Sequence, residues 1–106
     1  MKILPEPVEF EWNKGNVEKN LIKHRVTNKE TEEIFKNKDI FIFKDEKHSQ
    51  KEERYGLFGK IDSGRLLSVV FTLRNNKVRI ITVRDMSRKE RKAYEKIKRA
   101  ETNSKV

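Results

Sequence analysis

Four arginines lie in segments with the apolar and alternating patterns of β-strands: Arg54, Arg74, Arg79 and Arg84. Placing a guanidinium on a central sheet is costly unless it meets a carboxylate or a phosphate, and its planar fork suits both. These arginines are therefore candidates for a phosphate-binding site. The alternative, structural ion pairs with Glu52, Glu53 or Asp85, stays open on the pattern alone.

Histidine and tyrosine side chains supply the other candidate chemistry. His24 could transfer a proton in ribose-assisted RNA cleavage, since its unperturbed pKa lies nearest neutrality, but a histidine at a helix end is also a common cap or core residue. His48 lies in a polar loop, where we expect it to be solvated. Tyr55 and Tyr94 could stack on a base, although the helical spacing of Tyr94 with Ile97 favours a core position.

Charge and composition narrow the function classes. Lys and Arg number 26 against 17 Asp and Glu, and a net charge of +9 attracts polyanions such as nucleic acid, although solubility alone could explain it. Cysteine is absent and there are two histidines, so we expect no disulfide, metal site or cofactor. No apolar run reaches the ~20 residues of a membrane span, which predicts a cytoplasmic protein with no membrane contact.

The elements that must position these residues follow from the apolar periodicity. At 106 residues the chain has room for one domain over 1–106, with flexible ends at 1–7 and 101–106. The predicted elements are a strand at 8–12, helices at 13–25 and 27–37, strands at 39–44, 53–61, 65–74 and 77–84, and a helix from 87 onwards.

Local signals mark several element ends. Thr27 with Glu30, and Ser87 with Glu90, have the spacing of capping boxes at the starts of two helices. Asn75-Asn76 suits a two-residue hairpin turn, because Asn tolerates positive φ. The last helix should pack through the residues that recur at helical spacing: Met86, Ala93, Tyr94, Ile97 and Ala100.

Counting back from the predicted two-residue turns assigns the cross-strand pairs. Tyr55 falls opposite Thr72, and Thr72 falls opposite Arg79, with Arg74 and Glu53 on the same face. The opposite face then holds these residues: Phe58, Val69, Phe71, Val78 and Ile80, with Arg54 and Arg84 towards the ends. A slip of one residue would exchange the two faces.

The segment from Phe10 to His24, FEWNKGNVEKNLIKH, resembles the opening signature of the BrnT toxins of bacterial type II toxin-antitoxin pairs. The resemblance continues through five further motifs: EERY at 52–55, GRLL at 64–67, VVFT at 69–72, RIITVR at 79–84 and ERKAY at 90–94. It covers the chain from about residue 8 to about residue 98.

Three positions depart from the pattern of that family. Asn13 stands where the family usually has Asp, Arg25 where Gly commonly follows the Lys-His pair, and Val83 where Ala is usual. Asn caps a helix as well as Asp does, whereas Arg adopts a left-handed backbone less easily than Gly. We therefore expect local changes at the two ends of the first helix.

The resemblance implies an α+β, RelE-like fold, with two N-terminal helices and a C-terminal helix packed on an antiparallel β-meander of about four to five strands. It implies a growth-arresting endoribonuclease toxin that uses attack by the ribose 2′-hydroxyl and no metal. It also implies a BrnA-like antitoxin, in a complex that could be a heterotetramer. That antitoxin, not the toxin, would bind operator DNA.

The resemblance to the BrnT toxins also implies roles for individual residues of this chain. The predicted catalytic residues are His24, Glu53, Arg54, Arg79 and Arg84, with the arginines on the phosphate and His24 or Glu53 moving the proton. The predicted RNA-contacting residues are Lys23, Tyr55, Arg65, Arg74, Arg88 and Arg91. Because the predicted register separates Arg54 from Arg79, one of these two could instead be structural.

Two other functions remain open on the sequence. In a non-catalytic binding module, the basic helix at 87–99 would lie on nucleic acid and the strand arginines would be ion pairs. In a pure interaction protein, the basic surface would hold an acidic segment of a partner.

Overall fold

The computed structural model describes residues 4–13, 19–48 and 52–104. The regular elements in this part of the chain are α1 (Lys19–His24), α2 (Asn28–Ile34), β1 (Phe41–Lys44), a 3-10 turn (Glu46–His48), β2 (Arg54–Lys60), β3 (Leu66–Arg74), β4 (Lys77–Asp85) and α3 (Arg88–Ser104). The strands form one antiparallel sheet in the order β1-β2-β3-β4. The predicted α+β class and the meander are confirmed.

The N-terminal segment does not form the predicted strand at 8–12. Phe10 makes an isolated parallel bridge with Val78. The Glu11 N–H donates to the Val78 carbonyl at 2.8 Å, and the Val78 N–H donates to the Glu9 carbonyl at 2.7 Å. The segment is thus held against the outer edge of β4 without extending the ladder.

The first helix ends at His24, one residue before its predicted end, while its predicted start at 13–18 falls largely outside the described residues. Arg25 follows with a φ of 55°, in the left-handed region where the BrnT pattern has Gly. The open carbonyls of His24 and Arg25 accept hydrogen bonds from Arg65 at 2.9 Å and 2.7 Å. A distant arginine therefore stabilises this helix end.

Both predicted capping boxes are present. The Glu30 N–H donates to the Thr27 hydroxyl at 3.0 Å, and the Thr27 N–H donates to the Glu30 carboxylate at 2.9 Å. The Glu90 N–H donates to the Ser87 hydroxyl at 3.2 Å, and the Ser87 N–H donates to the Glu90 carboxylate at 2.8 Å. Helix α2 ends at Ile34, three residues before its predicted end.

The two hairpin turns differ in how well the sequence predicts them. Asn75 and Asn76 both have positive φ, 50° and 63°, as a two-residue primed turn requires. The β2–β3 connection is instead a three-residue loop at 62–64, since the Ile61 N–H donates to the Arg65 carbonyl at 3.1 Å and Gly64 has a φ of 96°. The predicted two-residue turn at Ser63-Gly64 is wrong.

That extra loop residue shifts the β2–β3 register by one position. Arg54 lies opposite Thr72 and Tyr55 lies opposite Phe71, so the predicted pair of Tyr55 with Thr72 is wrong. The predicted pair of Thr72 with Arg79 is confirmed. Arg54 consequently lies on the same face of the sheet as Thr72 and Arg79.

The two faces of the sheet are covered differently. The face that packs on α2, here called the core face, consists of buried apolar residues: Leu57, Leu67, Val69, Phe71, Val78, Ile80 and Val83. The opposite face, here called the cleft face, carries these residues: Phe41, Phe43, Arg54, Gly56, Phe58, Ser68, Val70, Thr72, Arg74, Arg79, Thr82 and Arg84. A bulge opposite Val70 adds Ile81 to this face of β4.

Helix α3 lies over one end of the cleft face. The Tyr94 ring contacts the Phe41 ring edge-on at 5.5 Å, and the Tyr94 hydroxyl donates to the Asp39 carbonyl at 3.0 Å. Of the five residues predicted to pack, Met86 and Tyr94 are buried, whereas the other three are exposed: Ala93, Ile97 and Ala100. The prediction is wrong for these three, because the sheet supports the helix chiefly around Tyr94.

Flexible chain ends and the absence of a membrane-spanning segment were also predicted. Helix α3 continues to Ser104. Residues 1–3 and 105–106 of the predicted flexible ends lie outside the described residues. The predicted solvation of the His48 side chain also lies outside what the structure describes. In the described residues, no helix combines the length and apolar character needed to cross a bilayer.

Candidate functional site

All four strand arginines share the cleft face. Arg54 and Arg79 flank Thr72 across three strands, and Arg84 lies opposite Ser68. The predicted separation of Arg54 from Arg79 is therefore wrong, because it depended on the two-residue turn. The predicted separation of Arg84 from Arg79 is also wrong, because the bulge in β4 moves Arg84 to the cleft face. The alternation of side chains places Arg74, two residues beyond Thr72, on this face as well.

The face contains a cleft formed by two adjoining depressions. The larger, of about 390 Å³, is lined by residues that include Phe43, Asp45, Arg54, Gly56, Ser68, Thr82, Arg84 and Glu90. The smaller, of about 200 Å³, is lined by Lys19, Glu52, Arg54, Arg74, Arg79, Ile80 and Ile81. Arg54 and Ile81 line both depressions, which places Arg54 at their boundary.

Arg84 and Glu90 form a short, bidentate ion pair at one end of the cleft. The two guanidinium nitrogens of Arg84 donate to the two carboxylate oxygens of Glu90 at 2.6 Å and 3.0 Å. The Ser68 hydroxyl donates to the same carboxylate at 3.4 Å. The Arg84 hydrogen bond holds the pKa of Glu90 at about 2 against the opposing effect of burial. Glu90 thus fixes Arg84 in place and offsets its charge.

The other end of the cleft is more loosely paired. A nitrogen of Arg79 lies 3.9 Å from the Glu11 carboxylate, and this nitrogen is buried without a hydrogen bond from the described residues. Arg74 donates to Glu52 at 3.3 Å near the surface. Lys19 donates to the Ile81 carbonyl at 3.1 Å, which adds a further positive charge. Arg74 is thus held by a long bidentate pair with Glu52, whereas Arg79 makes no bidentate pair with a described carboxylate.

Glu53 and Tyr55 lie on the core-face side of the sheet, away from the cleft. The Tyr55 ring stacks on Phe71 at 5.5 Å, and its hydroxyl donates to Glu53 at 2.9 Å. Lys44 pairs with Glu53 at 3.1 Å. Hydrogen bonds from Lys44 and Tyr55 lower the pKa of Glu53, which makes it a weaker base. The structure does not bring these two predicted site residues to the arginines.

The end of α1 gathers three other predicted residues outside the cleft. His24 is half-buried and Lys23 is exposed in the last turn of the helix. Arg65 donates to the Asp85 carboxylate at 2.6 Å and 3.0 Å, in addition to its bonds to the helix carbonyls. Arg65 lowers the pKa of Asp85 chiefly through this hydrogen bonding. The guanidinium of Arg65 is therefore engaged in holding the fold.

The remaining predicted contacts lie on α3. Arg88 and Arg91 are exposed in its first turn, beside Glu90. Tyr94, which the pattern placed in the core, is buried, and burial raises the pKa of its hydroxyl. The two exposed arginines add positive charge at the start of α3, and neither lines the cleft.

A family model described as a ribonuclease toxin, BrnT, of type II toxin-antitoxin systems matches residues 12–90. This chain belongs to the BrnT family. A BrnT toxin acts on RNA and has a protein antitoxin as its partner. The matched range includes every residue that lines the cleft. No curated protein matches the chain.

Sequence reasoning missed several cleft residues of this BrnT chain. Glu90 was predicted as a helix cap, and nothing in its spacing indicated that it also binds Arg84. Lys19 and Phe43 reach the cleft through tertiary packing, for which no local motif exists. Within the described residues, no three histidine, aspartate or glutamate side chains gather as metal ligands.

Proposed function

We propose that this BrnT toxin is an endoribonuclease that cleaves single-stranded RNA in the cleft without a metal ion. The main support is that Arg54, Arg79 and Arg84 lie on one concave face of a chain with a net charge of +9. Arginine forks match the geometry of phosphate oxygens, and a cleft lined with them concentrates an anionic chain.

The proposed reaction is transesterification within the RNA. The 2′-hydroxyl gives its proton to a base as its oxygen forms a bond to the adjacent phosphorus, the bond from phosphorus to the 5′-oxygen of the next nucleotide breaks, and that oxygen takes up a proton. The products are a 2′,3′-cyclic phosphate and a 5′-hydroxyl. Negative charge grows on the phosphate oxygens at the transition state, where fixed guanidinium donors stabilise it.

Most of the rate enhancement would come from the cleft arginines. Arg79 and Arg54 would contact the phosphate, and Arg84, held by Glu90, would present its guanidinium in a fixed position at the other end. His24 and Glu53 remain the proposed proton carriers of the resemblance, but neither lines the cleft. We therefore expect substitution of either to cost less activity than substitution of Arg54.

The partner and architecture follow from the same family membership. We propose a BrnA-like antitoxin that neutralises the toxin, represses the shared operon through its own DNA-binding domain, and could form a heterotetramer with the toxin. We further propose that the chain acts as a single RelE-like domain, because its described elements share one sheet and one core.

A second candidate is a basic module that binds nucleic acid without cutting it. The observation in its favour is that Arg84 and Arg74 are paired with Glu90 and Glu52, as structural arginines would be. Such a module would show steeply salt-dependent binding and no products.

The test is incubation of the purified toxin with a labelled single-stranded RNA in the presence of EDTA, followed by analysis of the product ends. The matched control is the same RNA with 2′-O-methyl groups, which binds but cannot attack. We expect 2′,3′-cyclic phosphate and 5′-hydroxyl ends from the first RNA alone. Binding without products would favour the second candidate, and cleavage abolished by EDTA would overturn the metal-free mechanism.

A further inference from the structure

Phe43 is an aromatic residue of the cleft face to which the family match assigns no role. Strand β1 places Phe41 and Phe43 on this face. Tyr94 of α3 packs on Phe41 and leaves the next aromatic uncovered, so that Phe43 is 43% exposed. A large apolar side chain with this exposure, in the wall of a cleft, is a candidate contact for a ligand.

The neighbours of Phe43 hold its ring in a defined position. Gly56 lies directly opposite it on β2, and a methyl group at Gly56 would occupy the space of the Phe43 ring. The ring therefore lies against the backbone of β2, where only glycine leaves room for it. Phe58 contacts it on the same face at 5.1 Å with an interplanar angle of 62°. An ordered, partly exposed ring is suited to stacking.

The surroundings of the ring are those of a nucleic-acid contact. Phe43, Arg54 and Arg84 line the same depression. Arg54 precedes Gly56 by two residues on the same face, a separation of about 7 Å along a strand. An aromatic platform next to a cation that can hold a phosphate is the usual combination in proteins that bind single-stranded nucleic acid.

We propose that Phe43 is a platform on which a nucleobase of the RNA stacks while Arg54 holds an adjoining phosphate. The inference rests on the proposed function, since it requires RNA in the cleft. A phenyl ring offers no hydrogen bonds for reading a base edge. The platform therefore favours purines over pyrimidines through their larger stacking area, without selecting one base. Tyr55, which was predicted to contact RNA, packs against Phe71 instead, and Tyr94 packs against Phe41.

The test measures binding of a short, labelled 2′-O-methyl RNA by fluorescence anisotropy, so that cleavage does not interfere. Phe43→Ala should weaken binding by about 5- to 150-fold, the usual range for loss of one stacked base. Phe43→Tyr should retain binding within about 3-fold, and Phe43→Leu should behave like Phe43→Ala. Ile22→Ala is the matched control, because Ile22 is an exposed apolar residue on α1 that does not line the cleft.

An abasic nucleotide identifies the stacked position. The abasic nucleotide is placed at each position of the RNA in turn. At one position it should weaken binding to the wild type by a factor similar to that of Phe43→Ala. At that same position it should not weaken binding to the Phe43→Ala variant any further. Equal RNA binding by wild type and Phe43→Ala would overturn the platform. So would a loss confined to binding of the antitoxin. Failure of the wild type to bind RNA would instead overturn the proposed function, and the platform with it.

Discussion

The two faces of the sheet use alternate residues of the same strands and reach opposite outcomes. On the core face, Leu57, Val69 and Phe71 are fully buried. On the cleft face, Arg54 and Arg84 remain partly exposed in similar places along those strands. Strand register therefore decides which side chains line the cleft, because successive residues of a strand point to opposite faces. In β4 the bulge opposite Val70 moves Arg84 to the cleft face.

The cleft face also differs from one end to the other. The shortest distance from an arginine nitrogen to its carboxylate partner is 2.6 Å at Arg84, 3.3 Å at Arg74 and 3.9 Å at Arg79. A tight bidentate pair holds a guanidinium in place, whereas a loose pair can exchange its carboxylate for a phosphate. The cleft therefore combines a short bidentate pair at the α3 end, Arg84 with Glu90, with longer pairs at Arg74 and Arg79 near Lys19.

The largest effect on stability should come from the core face. Leu57→Ala removes a fully buried side chain and should lower the free energy of unfolding by about 2–5 kcal/mol, through lost burial and the cavity left behind. Urea denaturation followed by circular dichroism measures this. Lys60→Ala, at the exposed end of the same strand, should change stability by no more than about 0.5 kcal/mol. Equal stability of both variants would contradict the view that the core face contributes more to stability than the cleft face.

A smaller loss is expected at the end of α1. Arg65→Ala removes the bonds to Asp85 and to the carbonyls of His24 and Arg25, and should destabilise the protein by about 1–3 kcal/mol. Arg65→Lys keeps the charge without the planar fork and should recover part of the loss. The thermal midpoints of the three proteins give the order. An alanine variant as stable as the wild type would show that the helix end needs no partner.

The smallest effect is expected at Glu90 and depends on pH, since solvent partly screens its exposed partner Arg84. Arg84 lowers the pKa of Glu90 from 4.5 to about 2 in the folded protein. The unfolded chain therefore binds this proton at a higher pH, so the stabilisation is complete above about pH 4.5 and is lost as the pH falls towards about 2.

Urea titrations at successive pH values check this expectation. The wild type should lose more unfolding free energy over that pH range than Glu90→Gln, in which the amide can still accept the Ser87 N–H bond. Parallel losses in the two proteins would mean that the ion pair with Arg84 contributes nothing to the folded state.

Local signals predicted most of the elements correctly. Thr27 and Ser87 mark helix starts because a capping box is formed by residues three apart, and Asn75-Asn76 marks a turn because few residues accept positive φ. These are short-range effects of single side chains on their own backbone. They are therefore readable without knowledge of the tertiary structure.

The candidate site could be predicted only in part. The arginine types and the family resemblance indicated a phosphate site. The face on which Arg54 lies depended on whether the loop before Arg65 has two or three residues, and the face on which Arg84 lies depended on the bulge in β4. No local pattern distinguishes these lengths when Gly64 fits both. The exposure of Phe43 and the engagement of Arg65 depend on where α3 and α1 pack, which is set by contacts far apart in the chain.

The most direct test of the account compares the single-turnover RNA cleavage rates of Arg54→Ala and Arg65→Ala, measured at a temperature where both proteins are folded. Arg54 lines the cleft, whereas Arg65 holds the end of α1. We expect Arg54→Ala to cleave about 100-fold or more slowly than the wild type, and Arg65→Ala to cleave at the wild-type rate per folded molecule. Wild-type cleavage by Arg54→Ala would contradict the assignment of the cleft as the site of RNA cleavage.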